Sequence, residues 1–276
     1  MNKKHIIIFI LSYVVLIAQY NPENHVVTFS KSYSQYNEDG TTKDWLEKNK
    51  EYFTKMNPLD KELVSSMVLT HRWSGSSKET IEMAEWKSIA DADKSILSRA
   101  DRMKKAWPND KKREDFFNGY NKYYTGKHSD VGVMELNTAR LKRNNKQISE
   151  NSIVTIMEYY WKPISQVENG SAKERKELWD EFFDKVTMKN NKILTSMELH
   201  HYWTGSLGGG PRPVIFLVEY ANIIDADNTG INNETIMKAW PGEDERREFF
   251  QKRNKYIDWG HKDIGLYVNR VKWNKR

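Results

Sequence analysis

One pattern runs through this chain twice, and that constrains its fold more than any other feature. Ser66 to Ser76 reads SMVLTHRWSGS and Ser196 to Ser206 reads SMELHHYWTGS. Further matches follow in the same order with small gaps. Ile89 to Asp93 answers Ile223 to Asp227, and Met103 to Pro108 answers Met237 to Pro241. Arg113 to Phe117 answers Arg246 to Phe250, and His128 to Gly132 answers His261 to Gly265. Upstream, Val26 to Thr28 answers Ile153 to Thr155, and Trp45 is matched with Trp179. A long-period repeat of this kind predicts two similar structural units built in tandem.

The two copies give one reading of secondary structure. Each opens with a β-rich run, His25 to Tyr33 or Ile153 to Trp161. A charged helical stretch follows, Thr42 to Lys55 or Ala172 to Met188. Strands are expected at Val64 to Trp73 and Leu194 to Trp203, then at Ile81 to Ala90 and Pro213 to Ile224. A longer helix covers Ser98 to Tyr123 or Asn232 to Tyr256, and Pro108 and Pro241 should kink or divide it. Its aromatic residues, among them Phe116, Phe117, Phe249, Phe250 and Tyr256, have the i, i+3, i+4 spacing of a core face. Final strands are expected at Asp130 to Leu136 and Asp263 to Val268. The order is β-α-β-β-α-β, which predicts a four-stranded antiparallel sheet with two helices on one face.

That order, the copy length and the duplication resemble the ferredoxin-like dimeric α+β barrel superfamily. In that group two such sheets face each other, as a dimer or as fused repeats. It includes small monooxygenases, haem-degrading enzymes and isomerases. The resemblance implies an α+β fold in which two tandem repeats form an intrachain barrel, with no catalytic residue to carry over. Packing supports the same arrangement, because a sheet covered on one face must bury the other. The expected organisation is a signal peptide at 1–18, a first repeat at 19–140, a linker at 141–150 and a second repeat at 151–276. Lys142, Arg143, Asn144, Asn145 and Lys146 are expected to be a solvated linker.

The signal follows from Lys3 and Lys4 preceding the apolar run His5 to Ala18, which is shorter than the ~20 residues of a spanning helix. The expectation is an exported, periplasmic or secreted protein without a stable membrane span, monomeric by intrachain pairing. The chain contains no cysteine, so disulfides and thiolate chemistry are excluded. A net charge of +6 is spread among interleaved acids and bases, which argues against a nucleic-acid partner.

Two repeated groups are candidates for chemistry. Strand alternation places His71 and Trp73 on the face of Met67 and Leu69, and His201 and Trp203 on that of Met197 and Leu199. There, His71 or His201 could act as general base or polar anchor, with Trp73 or Trp203 stacking on a flat ligand. Glu85 and Glu219, matched on the third strand, are candidate acidic partners, although they could equally face solvent. The second copy alone has Gly208, Gly209 and Gly210, a candidate ligand-binding loop, and an extra His200; if one copy is active, it is the second. Asp225, Asp227, His261 and Asp263, like Asp91, Asp93, His128 and Asp130, are expected at one sheet edge. They are weak candidates for a metal, and the favoured reading is that these Asp residues cap a helix.

The sequence therefore points to a small-molecule-binding α+β barrel of unspecified ligand. One alternative is a cofactor-independent or haem-using enzyme of the superfamily with a His acid/base. Another is a cell-surface interaction module with exposed tryptophans. No cofactor is specified.

Overall fold

A computed structural model describes residues 23–35, 40–143, 148, 151–202, 211–228 and 233–276. The expected apolar leader, Trp203, Gly208 to Gly210 and Asn144 to Lys146 lie outside these residues. The first half runs β1 (His25–Ser34), α1 (Thr42–Met56), β2 (Leu63–His71), β3 (Glu79–Trp86), α2 (Ile89–Ala106), α3 (Asp110–Asn121) and β4 (Tyr124–Leu136). After a two-residue strand β5 (Lys142–Arg143), the second half runs β6 (Ser152–Trp161), α4 (Ala172–Phe182), β7 (Ile193–His201) and β8 (Arg212–Tyr220). It continues through α5 (Ile223–Asn228), α6 (Asn233–Ala239), α7 (Glu243–Asn254) and β9 (Ile257–Asn269). The long helix expected in each half is divided before its proline, since proline cannot continue the ladder.

The strand order is β4-β1-β3-β2-β9-β6-β8-β7-β5, and β4 also pairs with β7. The sheet therefore closes on itself. Its two seams are β2 on β9 (Leu69 opposite Asn269) and β4 on β7 (Leu136 opposite Leu199). Each half contributes a four-stranded antiparallel sheet, as expected, and together they make the α+β barrel. Alternate residues fill its interior: Val27, Phe29, Met67, Leu69, Ile81 and Met83 from one half meet Val154, Ile156, Met197, Leu199 and Leu217 from the other. The helices lie outside, over the other face of each sheet.

The stretch expected as a solvated linker is partly structural. Lys142 pairs with Ser196 along β7 and is 8% exposed, its ammonium donating to the carbonyls of Thr187, Met188 and Asn190. Arg143 pairs with the Glu85 carboxylate. Lys142, buried on β7, and Arg143, paired with Glu85 of β3, tie the two halves together.

Candidate functional site

The two faces of the second sheet have different fates. Met197 and Leu199 point into the barrel, so their neighbours Ser196, Glu198 and His200 point outward, beneath the helices. There, between β6, β7, β8, α4 and α7, lies a cavity of about 560 Å³, within the size range of small-molecule sites. Its walls are mostly apolar and rich in rings: Tyr159, Trp161, Trp179, Phe182 and Phe216 face it, with Val218 and Ile257.

A charged cluster closes one wall. Glu198, 3% exposed, accepts from Arg140 (Nε 2.7 Å, Nη2 2.5 Å) and pairs with His200 Nε2 at 2.6 Å. Arg140 also reaches Asp180 at 2.6 Å. Burial alone would raise the Glu198 carboxyl, but hydrogen bonds and charge from His200 and Arg140 prevail and hold it at about 2. Arg140 follows β4 in the chain, so the first half supplies a wall residue of the second half's cavity.

Arg253, on α7, is a second cation in the wall. Its guanidinium carbon lies 4.6 Å from the ring centroids of both Trp179 and Phe182. Its Nε is buried without a hydrogen-bond partner, and no carboxylate among the described residues forms an ion pair with it. Burial lowers its pKa to about 10. Nearby, His261 stacks on Tyr159 at 5.5 Å.

The first half is filled at the corresponding place. Each half's last strand is followed by a 3-10 turn, ending in Arg140 after β4 and in Trp273 after β9. Trp273 packs into the first half's helix–sheet layer, 5.8 Å from Phe53 and 5.9 Å from Trp45. It joins the cluster of Val68, the residue that answers Glu198 in the matched strands. An indole against valine closes one layer, whereas a guanidinium against a carboxylate borders a cavity in the other. The helices align by their caps, Thr41 on Asp44 N and Ser171 on Glu174 N, and by the pairs Glu51–Trp107 and Glu181–Trp240. On that alignment Trp179 corresponds to Asn49, not to Trp45 as the sequence matching suggested.

Most of the residues expected to carry chemistry lie elsewhere. His71 is exposed at the rim of the barrel, its Nδ1 2.9 Å from the Ser74 carbonyl, and Trp73 is 76% exposed. His201 is likewise exposed at the end of β7. Glu85 and Glu219 face inward but at the other end of the barrel: Glu85 lies opposite Ser65, six residues and about 20 Å of strand from His71. They are not acidic partners of these histidines. Glu85 binds His25 at 2.6 Å and Ser65 at 2.5 Å. Glu219 accepts from Ser152, Thr195 and Asn269 at 2.5, 2.6 and 2.8 Å, and from Arg276. Both plug the barrel as satisfied buried carboxylates.

The aspartates and histidines expected at one edge are separated for a topological reason. β8 and β9 both run antiparallel to β6, hence parallel to each other, so the end of β8 and the start of β9 lie at opposite ends of the sheet. Asp225 sits in the first turn of α5, where its N–H donates to the capping Asn222 at 2.9 Å. Asp91 does the same on Ser88 at 3.2 Å. Asp227 is on α5, while His261 and Asp263 are 3.4 Å apart on β9. No three potential metal ligands converge among the described residues.

Glu198, Arg140 and Arg253 were missed. A signal for Glu198 and His200 was present: in the matched strings SMVLTH and SMELHH they replace Val68 and Thr70.

No family model and no curated protein matches the chain. Solved structures do. A candidate monooxygenase from Lactobacillus acidophilus matches with TM-score 0.52 and 12% identity, over 90% of this chain and 93% of that one. A candidate monooxygenase from Fusobacterium nucleatum gives 0.50 and 8%, over 89% and 91%. A candidate chlorite dismutase gives 0.45 and 13%, over 89% and 94%. What the chain shares with the two monooxygenase-like structures is the fold, a ferredoxin-like α+β barrel.

Proposed function

We propose that this protein binds a small organic molecule in the helix–sheet cavity of its second half. The observation that carries this reading is the contrast between halves: Trp273 packs into the helix–sheet layer of one, and a cavity lies beside Arg140 and Glu198 in the other. A cavity of about 560 Å³ lined by aromatic rings with a few fixed polar groups is what a flat ligand requires. Export of the protein belongs to the same proposal and is supported by the apolar run His5 to Ala18; N-terminal sequencing of the protein recovered from outside the cytoplasm tests it. A monomer is proposed as well, because the barrel closes within one chain.

Native mass spectrometry of protein purified from its own host is expected to reveal one organic molecule per chain. The variant Arg140→Trp/Glu198→Val, which copies the packing of the first half, should lose it. Retention of the molecule by a folded double variant would overturn the reading.

A second reading, an oxidative enzyme, is supported by the descriptions of the two monooxygenase-like neighbours. The chemistry of the wall supports binding better. Its one carboxylate among the described residues, Glu198, is held ionised at about 2 by its hydrogen-bond partners His200 and Arg140 and is a poor proton acceptor near neutrality. Haem does not fit the donor set either: His200 Nε2 is engaged by Glu198, and His261 Nε2 faces Asp263. The interaction-module reading loses support because seven of the eight tryptophans with described side chains are buried, Trp73 being the exception.

A further inference from the structure

The cavity has two cationic groups, and they differ in one respect. Arg140 is neutralised, held between Glu198 and Asp180. Arg253 is not. Two aromatic faces cover its guanidinium, its Nε donates to nothing, and no carboxylate among the described residues forms an ion pair with it. A cation desolvated in this way is costly unless something anionic completes it. In the first half α3 brings Tyr120 to the place of Arg253. There Tyr120 stacks on Tyr52 at 5.0 Å, so a neutral ring stands where the second half has a guanidinium. At this helix position the cation therefore belongs to the half that has the cavity.

Resting on the reading of the cavity as the binding site, we propose that its ligand is a planar organic carboxylate whose anionic group pairs with Arg253. The planar body follows from the aromatic walls, Tyr159, Trp161 and Phe216. The single negative charge follows from Arg253 being the one arginine among the described lining residues without a carboxylate partner. A phosphate dianion would bring a second charge into the apolar space, and Arg140 already has two carboxylate partners. A guanidinium with its faces covered still offers its N–H edge, the geometry that suits a carboxylate.

The test is a fluorescence titration of the full-length protein with 2-naphthoate and, in parallel, with 2-naphthamide, which has the same shape without the charge. The acid is expected to bind about 10- to 100-fold more tightly, the worth of one charge-assisted hydrogen-bond pair. In Arg253→Met the preference should vanish while affinity for the amide is kept. Arg253→Tyr, which restores the residue found at this place in the first half, should behave the same way and guards against a packing defect in the methionine variant. Equal affinity for acid and amide in the native protein would overturn the charge assignment and leave the cavity reading standing. So would a preference that survives both substitutions in folded protein. Failure of both probes to bind would count against the cavity itself, and the assignment would fall with it.

Discussion

Trp273 and Arg140 hold the same place in the two halves of the barrel, each the last residue of the turn that follows its half's final strand, and each reaches across to the opposite half. The indole closes a hydrophobic layer with Phe53 and Trp45, and the guanidinium borders a cavity with Glu198. The different chemistry of these two side chains separates scaffold from site.

Trp273→Ala should destabilise the protein by about 3–5 kcal/mol, as large-to-small changes at buried aromatics do. Denaturant unfolding followed by far-UV circular dichroism measures it. A loss below about 1 kcal/mol would mean that the C-terminal turn does not hold the first layer closed.

Glu198→Gln leaves Arg140 buried with half its counter-charge, and truncating one partner of a buried pair costs about 3–5 kcal/mol. Glu198→Val combined with Arg140→Trp should cost markedly less than the sum of the two single changes, because the pair then reproduces Val68 with Trp273. A double-mutant cycle reads that coupling, and additivity would contradict it.

Acid unfolding carries the signature of the same carboxylate. Glu198 has a folded-state pKa of about 2 against an ordinary 4.5, so its contribution to stability is fully present above about pH 4.5 and is lost as the pH falls towards 2. The difference in unfolding free energy between the native protein and Glu198→Gln should shrink across that window by about 3 kcal/mol. A difference independent of pH there would show that the charge of Glu198 is not what stabilises the cluster.

Alkaline titration addresses Arg253. With its pKa lowered to about 10 by burial, the preference for 2-naphthoate over 2-naphthamide should persist at pH 8 and decline above about pH 10. Amide binding measured alongside separates this from alkaline unfolding. A preference unchanged at pH 11 in folded protein would mean that the guanidinium stays charged there or does not meet the ligand.

Exposed rim residues make the contrasting case. His71→Ala and Trp73→Ala should change stability by no more than about 0.5 kcal/mol and leave probe affinity intact, since both side chains point into solvent away from the cavity. A tenfold loss of affinity in either would restore the strand-end site that the sequence suggested.

The sequence by itself determined the architecture. Alternation of apolar residues such as Met67 and Leu69 and of Met197 and Leu199 marked the face each strand buries, and the β-α-β-β-α-β order left two sheets with one uncovered face apiece. Period-two patterning is local, so it survives reading one strand at a time. The N-terminal caps Ser88 and Asn109 fell inside a strand and a helix expected from the sequence, and the structure shows them instead at the starts of α2 and α3. The site was not. His71, His201, Glu85 and Glu219 drew attention because they recur, yet recurrence marked rim and plug positions common to both halves, and the third strand was assumed to end where the fourth begins. Only tertiary structure decided that the β4 turn crosses over to bring Arg140 onto Glu198 and that the β9 turn sends Trp273 the other way. It also decided that Arg253 is held between Trp179 and Phe182 with no counter-ion among the described residues. These are contacts between segments far apart in the chain, set by how the sheet closes, and no local period encodes them.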